Sequence, residues 1–372
     1  MSAQSDLEKW IPRLERAAGG RIDVKAVAAA VRTLSLGLTR ERELAGAKYM
    51  DDPKLLAAYL LFYWPVSYAQ AREVLGEVGS RPRSVLDLGS GPGPMAFAAL
   101  DAGATDVTAA DRSTRALDLA KKLALDAEEG IATREWDPNR ALPDGQFDLI
   151  SMGHLLNELP VEKRVPLVES ALGRLRPRGS VVIIEPALRE TSRGLLTLRD
   201  ALVAKGYAVR APCLFRGNCP ALLKESDWCH AERQWRMPTL VENIARAASL
   251  HKEALKMSYL VLAPKGEEWR AAPEGRVFRI VSEALEGKGR QRYMGCGPEG
   301  RVGLAMQHKH ARPHNEAFMQ LQRGDVIEVT NTEAKGDGFA LVDTSELKMV
   351  ARAGQSVPAG PAAGPQEQLP KP

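Results

Sequence analysis

The residue run in this chain with the clearest chemistry is Ser84-Val-Leu-Asp-Leu-Gly-Ser-Gly-Pro-Gly-Pro-Met-Ala. An apolar strand ending at Leu88 feeds a turn on Gly89, Gly91 and Gly93, where a Cβ would block close approach of a ligand to the backbone. A helix beginning near Pro94 turns its exposed N–H groups toward that turn, which suits a carboxylate. Asp87 stands two residues ahead of the loop, and Asp111 follows Gly93 by 18 residues at the end of the next apolar run. A carboxylate in that place can hold two ribose hydroxyls, so the ligand is read as a nucleoside. A nicotinamide site expects G-x-G-x-x-G, whereas this loop runs G-x-G-x-G. The competing reading is an ordinary tight βα turn, and the strand–turn–helix context argues against it.

Cysteine supplies a second constellation. Cys213, Cys219 and Cys229 fall within seventeen residues, and Cys296 is the fourth and last in the chain. Pro212, Gly217 and Pro220 make the first three part of an irregular loop. Buried free cysteines often serve as small hydrophobes, but random placement seldom clusters three of four beside turn residues. Four thiolates suit zinc or an iron–sulfur cluster. Zinc ribbons use paired C-x₂₋₄-C knuckles, whereas the intervals here hold five, nine and sixty-six residues. Wide, uneven intervals suit the larger cluster better, although spacing alone leaves both open. His230 can replace any one cysteine.

A third feature is charge. Lys288, Arg290, Arg292, Arg301, Lys309, Arg312 and Arg323 oppose only Glu299 and Glu316 across their stretch, which also carries His308, His310 and His314. Such a surface can track an RNA backbone, with Tyr293 and Phe318 either stacking on bases or filling the core. An ordinary solvated basic face is the alternative. The whole chain is nearly balanced, with Lys+Arg 51 against Asp+Glu 47, so net charge alone implies no nucleic acid.

The elements that must position these residues follow from composition and rhythm. At 372 residues, with 44% apolar and 26% charged, the chain can build two or three packed domains, and wholesale disorder is excluded. The longest apolar stretch, Leu55 to Val66, is half a membrane span and contains Pro65, so no membrane partner is expected. Asp6 and Glu8 near the start give no sign of a secretory signal, which with sparse cysteine points to the cytoplasm. Residues 1–79 read as helical, with Pro65 expected to break or kink the second stretch. Short apolar runs at Val85–Leu88, Val107–Ala110, Phe147–Met152 and Ser180–Glu185 alternate with helical patterns, predicting an α/β domain over 80–268 with a parallel sheet that Met257–Ala263 could close. A cysteine-rich insertion occupies about 207–247. Runs at Val277–Val281, Arg301–Met306, Asp325–Thr330 and Phe339–Val342 predict a small β-barrel-like domain over 269–348. Residues 349–372, rich in Pro, Gly, Ala and Gln, read as a solvated tail.

The D-x-G-x-G-x-G form resembles the first motif of class I methyltransferases, which implies a Rossmann-like domain and S-adenosylmethionine as the ligand. By that resemblance the loop holds the methionine end, Asp111 the ribose, and Trp136-Asp137 the adenine. Ser151-Met-Gly-His-Leu-Leu-Asn-Glu-Leu then falls where such enzymes place substrate-side residues, making His154, Asn157 and Glu158 the catalytic candidates. A structural His154 is as ready an explanation as a general base. The Asn/Asp-Pro-Pro motif of amino methylation is absent, and this loop has no cysteine nucleophile. Taken in order, Asp-Leu-Gly-Ser-Gly-Pro-Gly, His-Leu-Leu-Asn-Glu-Leu and Ala-Pro-Cys…Cys-Pro…Asp-Trp-Cys-His resemble the methyltransferase-like family associated with the small ribosomal subunit, from roughly Leu55 to Asp325. Membership implies a [4Fe–4S] cluster on Cys213, Cys219, Cys229 and Cys296, and the small subunit or its rRNA as partner. Leu214-Phe215 departs from that family's pattern. The expectation is a monomeric rRNA methyltransferase. Its rivals are a non-catalytic assembly factor that binds RNA and a zinc-containing small-molecule methyltransferase.

Overall fold

Two sheets organise the chain. The computed structural model describes residues 3–40, 43–44, 49–250, 254–267, 269 and 276–358. The first sheet is made of β1 (Ser84–Leu88), β2 (Asp106–Asp111), β3 (Ala132–Glu135), β4 (Phe147–Gly153), β5 (Leu175–Pro186), β6 (Val209–Ala211), β7 (Ala231–Gln234) and β8 (Ala254–Leu262). Its order is β3-β2-β1-β4-β5-β8-β6, with β7 also paired to β8. β1 to β5 run parallel, and β8 runs antiparallel to β5, β6 and β7. This is the parallel α/β sheet expected from the alternating runs, in the Rossmann-like arrangement that the glycine-loop resemblance implied. The direction of strand addition reverses at β1, so the loops after β1 and β4 diverge and open a crevice at the strand ends. The cysteine-rich segment is woven into the sheet edge through β6 and β7.

The helices are α1 (Ala3–Ala17), α2 (Val24–Ser35), α3 (Pro53–Ala58), α4 (Trp64–Val78), α5 (Pro94–Asp101), α6 (Thr114–Ala127), α7 (Val161–Leu172), α8 (Arg189–Ala204) and α9 (Thr239–Ala247). Trp10, Trp64, Tyr68 and Phe97 pack together and fix α1 and α4 to α5. Asp101 at the end of α5 accepts from Trp10 Nε1 (2.7 Å) and Tyr68 Oη (2.5 Å), satisfying two donors that burial would otherwise strand. Pro65 does not break the second helical stretch. A π-helical turn over Tyr59–Tyr63 joins α3 to α4, and Pro65 lies in the first turn of α4, where its missing N–H costs least. Among the described residues no helix is long and apolar enough to cross a membrane.

The second sheet comprises β9 (Arg276–Ile280), β10 (Leu285–Gly287), β11 (Arg290–Gly297), β12 (Gly300–Gln307), β13 (Val326–Thr330), β14 (Glu333–Lys335), β15 (Gly338–Leu341) and β16 (Glu346–Ala351). Its order is β14-β15-β12-β11-β9-β13-β16, with β10 on β11. β11, which carries Cys296, is not among the strands expected from sequence. Its Arg-Gln-Arg-Tyr-Met-Gly-Cys-Gly run reads as polar and turn-forming, yet Gln291 and Tyr293 face inward while Arg290 and Arg292 face out. Tyr293 and Phe318 belong to the core, edge to face at 5.2 Å, and are not available to stack on bases. The solvated tail does not begin at 349. β16 extends through Ala351, and Val357 is buried against Val277 and Val326. The remainder of that tail lies outside the described residues.

Candidate cofactor site and cysteine centre

The glycine loop turns where β1 meets α5. Gly89 and Gly91 have φ of +68° and +52°, a region unfavourable to side chains. A Cβ on Gly89 would stand 2.9 Å from Leu155 Cδ1, and one on Gly91 would stand 3.1 Å from Met50 Cε, so both faces of the loop are closely lined. Asp111, at the end of β2, accepts the Gly91 N–H and the Ser113 N–H, each at 2.8 Å. The expected ribose-binding acid therefore also fixes the loop. Burial raises its pKa, opposed by those amides. Asp87 lies beneath the loop and accepts from Ser151 Oγ at 2.7 Å. Burial pushes its pKa up to about 7, against the Ser151 hydroxyl and the Ala96 amide.

Of these residues, Gly89 and Asp111 border a cavity of about 480 Å³. Trp136 and Asp137 also line it. The Trp136 indole donates to Ala141 O (3.0 Å), and Asp137 accepts the Asn139 amide N–H (2.8 Å), closing the turn after β3. The hydrogen bond from Asn139 leads the lowering of the Asp137 pKa. His154, Asn157 and Glu158 reach the same cavity from the loop after β4. His154 has φ of +58°, an uncommon conformation for its type, held by its N–H on Ile184 O (2.7 Å) and by Asn157 Nδ2 on its carbonyl (2.8 Å). Its Nε2 meets Gln70 Oε1 at 3.1 Å, and Gln70 Nε2 donates to Lys256 O at 3.0 Å. Glu158 faces Arg112 at 3.9 Å. The three catalytic candidates are thus together, and each is held by protein neighbours.

Several residues that line the cavity carry no motif in the sequence. Tyr59, Tyr63, Ser67 and Gln70 come from the π turn and α4, with Tyr59 and Tyr63 stacked at 5.8 Å. Tyr49 and Met50 also line the cavity, and beside them Ser113 Oγ donates to Asp51 (2.8 Å). Behind the wall, Glu185 at the end of β5 accepts the Leu156 N–H at 2.9 Å and fixes the His154 loop. Burial raises its pKa to about 7. A lone carboxylate ending an apolar strand is the signal that would have found it.

The four cysteines come from three segments of the chain. Cys213 and Cys219 lie on the loop after β6, Cys229 precedes β7, and Cys296 sits on β11 of the second sheet. All four are unpaired by disulfide. Burial raises each thiol pKa. The charges of Cys213 and Cys219 add to the rise at Cys229, and those of Cys213, Cys229 and Cys219 to that at Cys296. The thiols of Cys219, Cys229 and Cys296 are thus each felt by at least one other thiol. Asp200 on α8 holds the Cys219 N–H at 2.9 Å, and Ser258 Oγ donates to Cys229 O at 3.1 Å. His230 points toward Arg323, and burial brings its pKa down to about 4. Among the described residues, no three His, Cys, Asp or Glu side chains are grouped so as to hold a metal ion, so the expected metal centre on these cysteines is not seen preformed.

Known proteins share parts of this sequence and fold. A stretch of 126 residues is 35% identical to the ribosomal protein L11 methyltransferase of Pelobacter propionicus, covering 34% of this chain and 36% of that relative. The chain thus spans about a third of the length of that protein. Among solved structures, an O-methyltransferase family protein from Burkholderia thailandensis has TM-score 0.40 and 15% identity, covering 64% of this chain and 73% of its own. The magnesium protoporphyrin IX methyltransferase of Synechocystis PCC 6803 has TM-score 0.37 and 12% identity, covering 66% and 100%. Residues 53–339, which span the crevice, the cysteine set and most of the second sheet, match the family described as mitochondrial small ribosomal subunit Rsm22, and the chain belongs to that family.

Proposed function

We propose that this protein binds S-adenosylmethionine in the β1–β4 crevice and acts on the small ribosomal subunit as an rRNA methyltransferase. The observation that carries the reading is the glycine loop, pinned by Asp111 and opening into the cavity that His154, Asn157 and Glu158 share. Bound there, S-adenosylmethionine would supply the methyl group. The loop backbone at Gly89 borders the cavity where its methionine end would lie, Asp111 retains acceptor capacity for the ribose, and Trp136 with Asp137 lies where the adenine would rest. The tyrosines and Gln70 wall the acceptor side. Exposed Lys288, Arg290, Arg292 and Lys309 offer phosphate contacts on the second sheet.

Cys213, Cys219, Cys229 and Cys296 fit a [4Fe–4S] cluster. The donor set supports the reading, since four thiolates are the ligand set of such a cluster, three from the loops beside β6 and β7 and one from β11. The cluster would tie the second sheet to the first, turning metal binding into folding energy.

A second reading, a non-catalytic assembly factor, is favoured by one observation. The side chains of His154 and Asn157 are spent on Gln70 and on the loop itself, and Glu158 faces Arg112. Transfer of labelled methyl from S-adenosylmethionine to purified small subunits decides between the two. Incorporation lost in Asp111→Ala establishes the enzyme, and tight cofactor binding without incorporation establishes the factor.

A further inference from the structure

We propose that Arg199, Arg279, Arg301 and Arg323 form a ring of guanidinium groups around the four cysteines that holds a [4Fe–4S] cluster in place and sets its reduction potential. This rests on the cluster reading above. The geometry begins at Cys296. In the second sheet it is directly opposite Arg301 of β12 on one side and Arg279 of β9 on the other. Directly opposed residues in antiparallel strands share a face, so the cysteine lies between two guanidinium-bearing side chains. Arg301 reaches across to Asp227, two residues before Cys229. Arg279 pairs with Glu77 at 3.0 Å and donates to Gly324 O at 3.0 Å. From the other side, Arg199 of α8 donates to the carbonyls of Phe215 and Gly217, inside the loop that links Cys213 to Cys219. Arg323 comes within 3.5 Å of His230, the neighbour of Cys229.

Two features distinguish this arrangement from ordinary ion pairing between parts of the chain. Arg199 and Arg279 are 1% and 5% exposed, so solvent screens them little, and each is balanced by one carboxylate, Asp200 or Glu77. Their Nε–H groups, and that of Arg323, are buried without a hydrogen-bond acceptor among the described residues. A buried donor left unpaired is costly, and a thiolate or inorganic sulfide would take it. A thiolate-ligated cluster carries net negative charge that increases on reduction. Nearby cations and N–H···S bonds favour the reduced form and raise the potential. Asp200, Asp227 and Glu77 pair with three of the four guanidinium groups and fix their positions.

The test uses full-length protein purified without air, as wild type, Arg301→Lys, Arg301→Gln and Arg323→Gln. These two arginines are chosen because neither is fully buried, and circular dichroism checks folding in each variant. Both Gln variants should titrate at a more negative potential by reduced-cluster EPR and lose iron to a chelator about tenfold faster than wild type, a change typical of outer-shell groups. Arg301→Lys should remain near wild type in potential. Folded Gln variants with wild-type potential and wild-type iron loss would overturn the ring while leaving the cluster intact. Wild-type protein containing zinc and no acid-labile sulfide would overturn the cluster reading, and the ring with it.

Discussion

Gly91 and Asp111 show how much of the cofactor site depends on single atoms. The N–H of the glycine is the donor that Asp111 grips, and its φ of +52° disfavours a β-branched residue. Gly91→Val should therefore strain the loop and push a side chain toward Met50. We expect S-adenosylmethionine binding to weaken by at least about tenfold, or about 1.4 kcal/mol, in calorimetry. Equal affinity would move the methionine end elsewhere. Asp87 and Glu185 make a pH prediction. Burial raises both to about 7, above the values near 4 of an unfolded carboxyl. The folded state then holds more protons than the unfolded one in that window. Stability from these groups is complete below about pH 4 and falls as pH rises toward 7, by up to about 1.4 kcal/mol per pH unit per group. Thermal unfolding of the cofactor-free protein from pH 4.5 to 7.5 should show the decline, and Glu185→Gln should make it shallower. An identical pH profile in the variant would refute this role for Glu185.

Between elements, the key contact is a buried ionic cluster. Glu77 of α4 accepts Tyr259 Oη of β8 (2.6 Å) and pairs with Arg233 of β7 (3.1 Å) and Arg279 of β9 (3.0 Å). One carboxylate thus joins the N-terminal helices, the first sheet and the second sheet. The two arginines also donate to the backbone of Arg323 and Gly324, fixing the turn before β13. Removing one partner from such a buried set strands the others. Arg279→Met should cost about 3 kcal/mol, the lower end for a broken buried pair, because Glu77 keeps Arg233 and Tyr259. Urea unfolding gives the magnitude, and hydrogen exchange should show β9 and β13 opening first. Unchanged exchange there would mean that the sheets are held together by something else. This cluster was not visible in the sequence. Arg279 sits inside the apolar Val-Phe-Arg-Ile strand and Glu77 inside a helix, and only their approach explains why either charge is tolerated.

For the whole molecule, the basic stretch divides into two populations. Lys288, Arg290, Arg292, Lys309 and Arg312 face solvent, whereas Arg301 and Arg323 are half-buried toward the cysteines. Only the first group is available to phosphates. Changing Lys288, Arg290, Arg292 and Lys309 to Glu should weaken binding to small-subunit RNA and flatten its salt dependence, by roughly 0.9 in the log–log slope for each phosphate that is no longer neutralised. Filter binding between 50 and about 200 mM salt reads both quantities. A slope equal to that of wild type would place the RNA surface elsewhere.

Local sequence was enough to define the glycine loop, the two acids, the parallel strands and the cysteine set. Each of these depends on residue type at short spacing: φ > 0 at a turn, an apolar run long enough for a strand, a carboxylate at a strand end. The helices 1–79 were legible from periodicity, but not their function, because the lining positions Tyr59, Ser67 and Gln70 look like ordinary helix residues until α4 is laid across the strand ends. β11 was hidden because its inward residues alternate with arginines and its glycines read as turns. The residues that surround the cysteines were decided by tertiary structure alone. Arg199 lies fourteen positions before Cys213, while Arg279 and Arg301 acquire their relation to Cys296 only through strand register. Pairing across a sheet and docking between sheets bring distant charges together, and no local pattern records that distance.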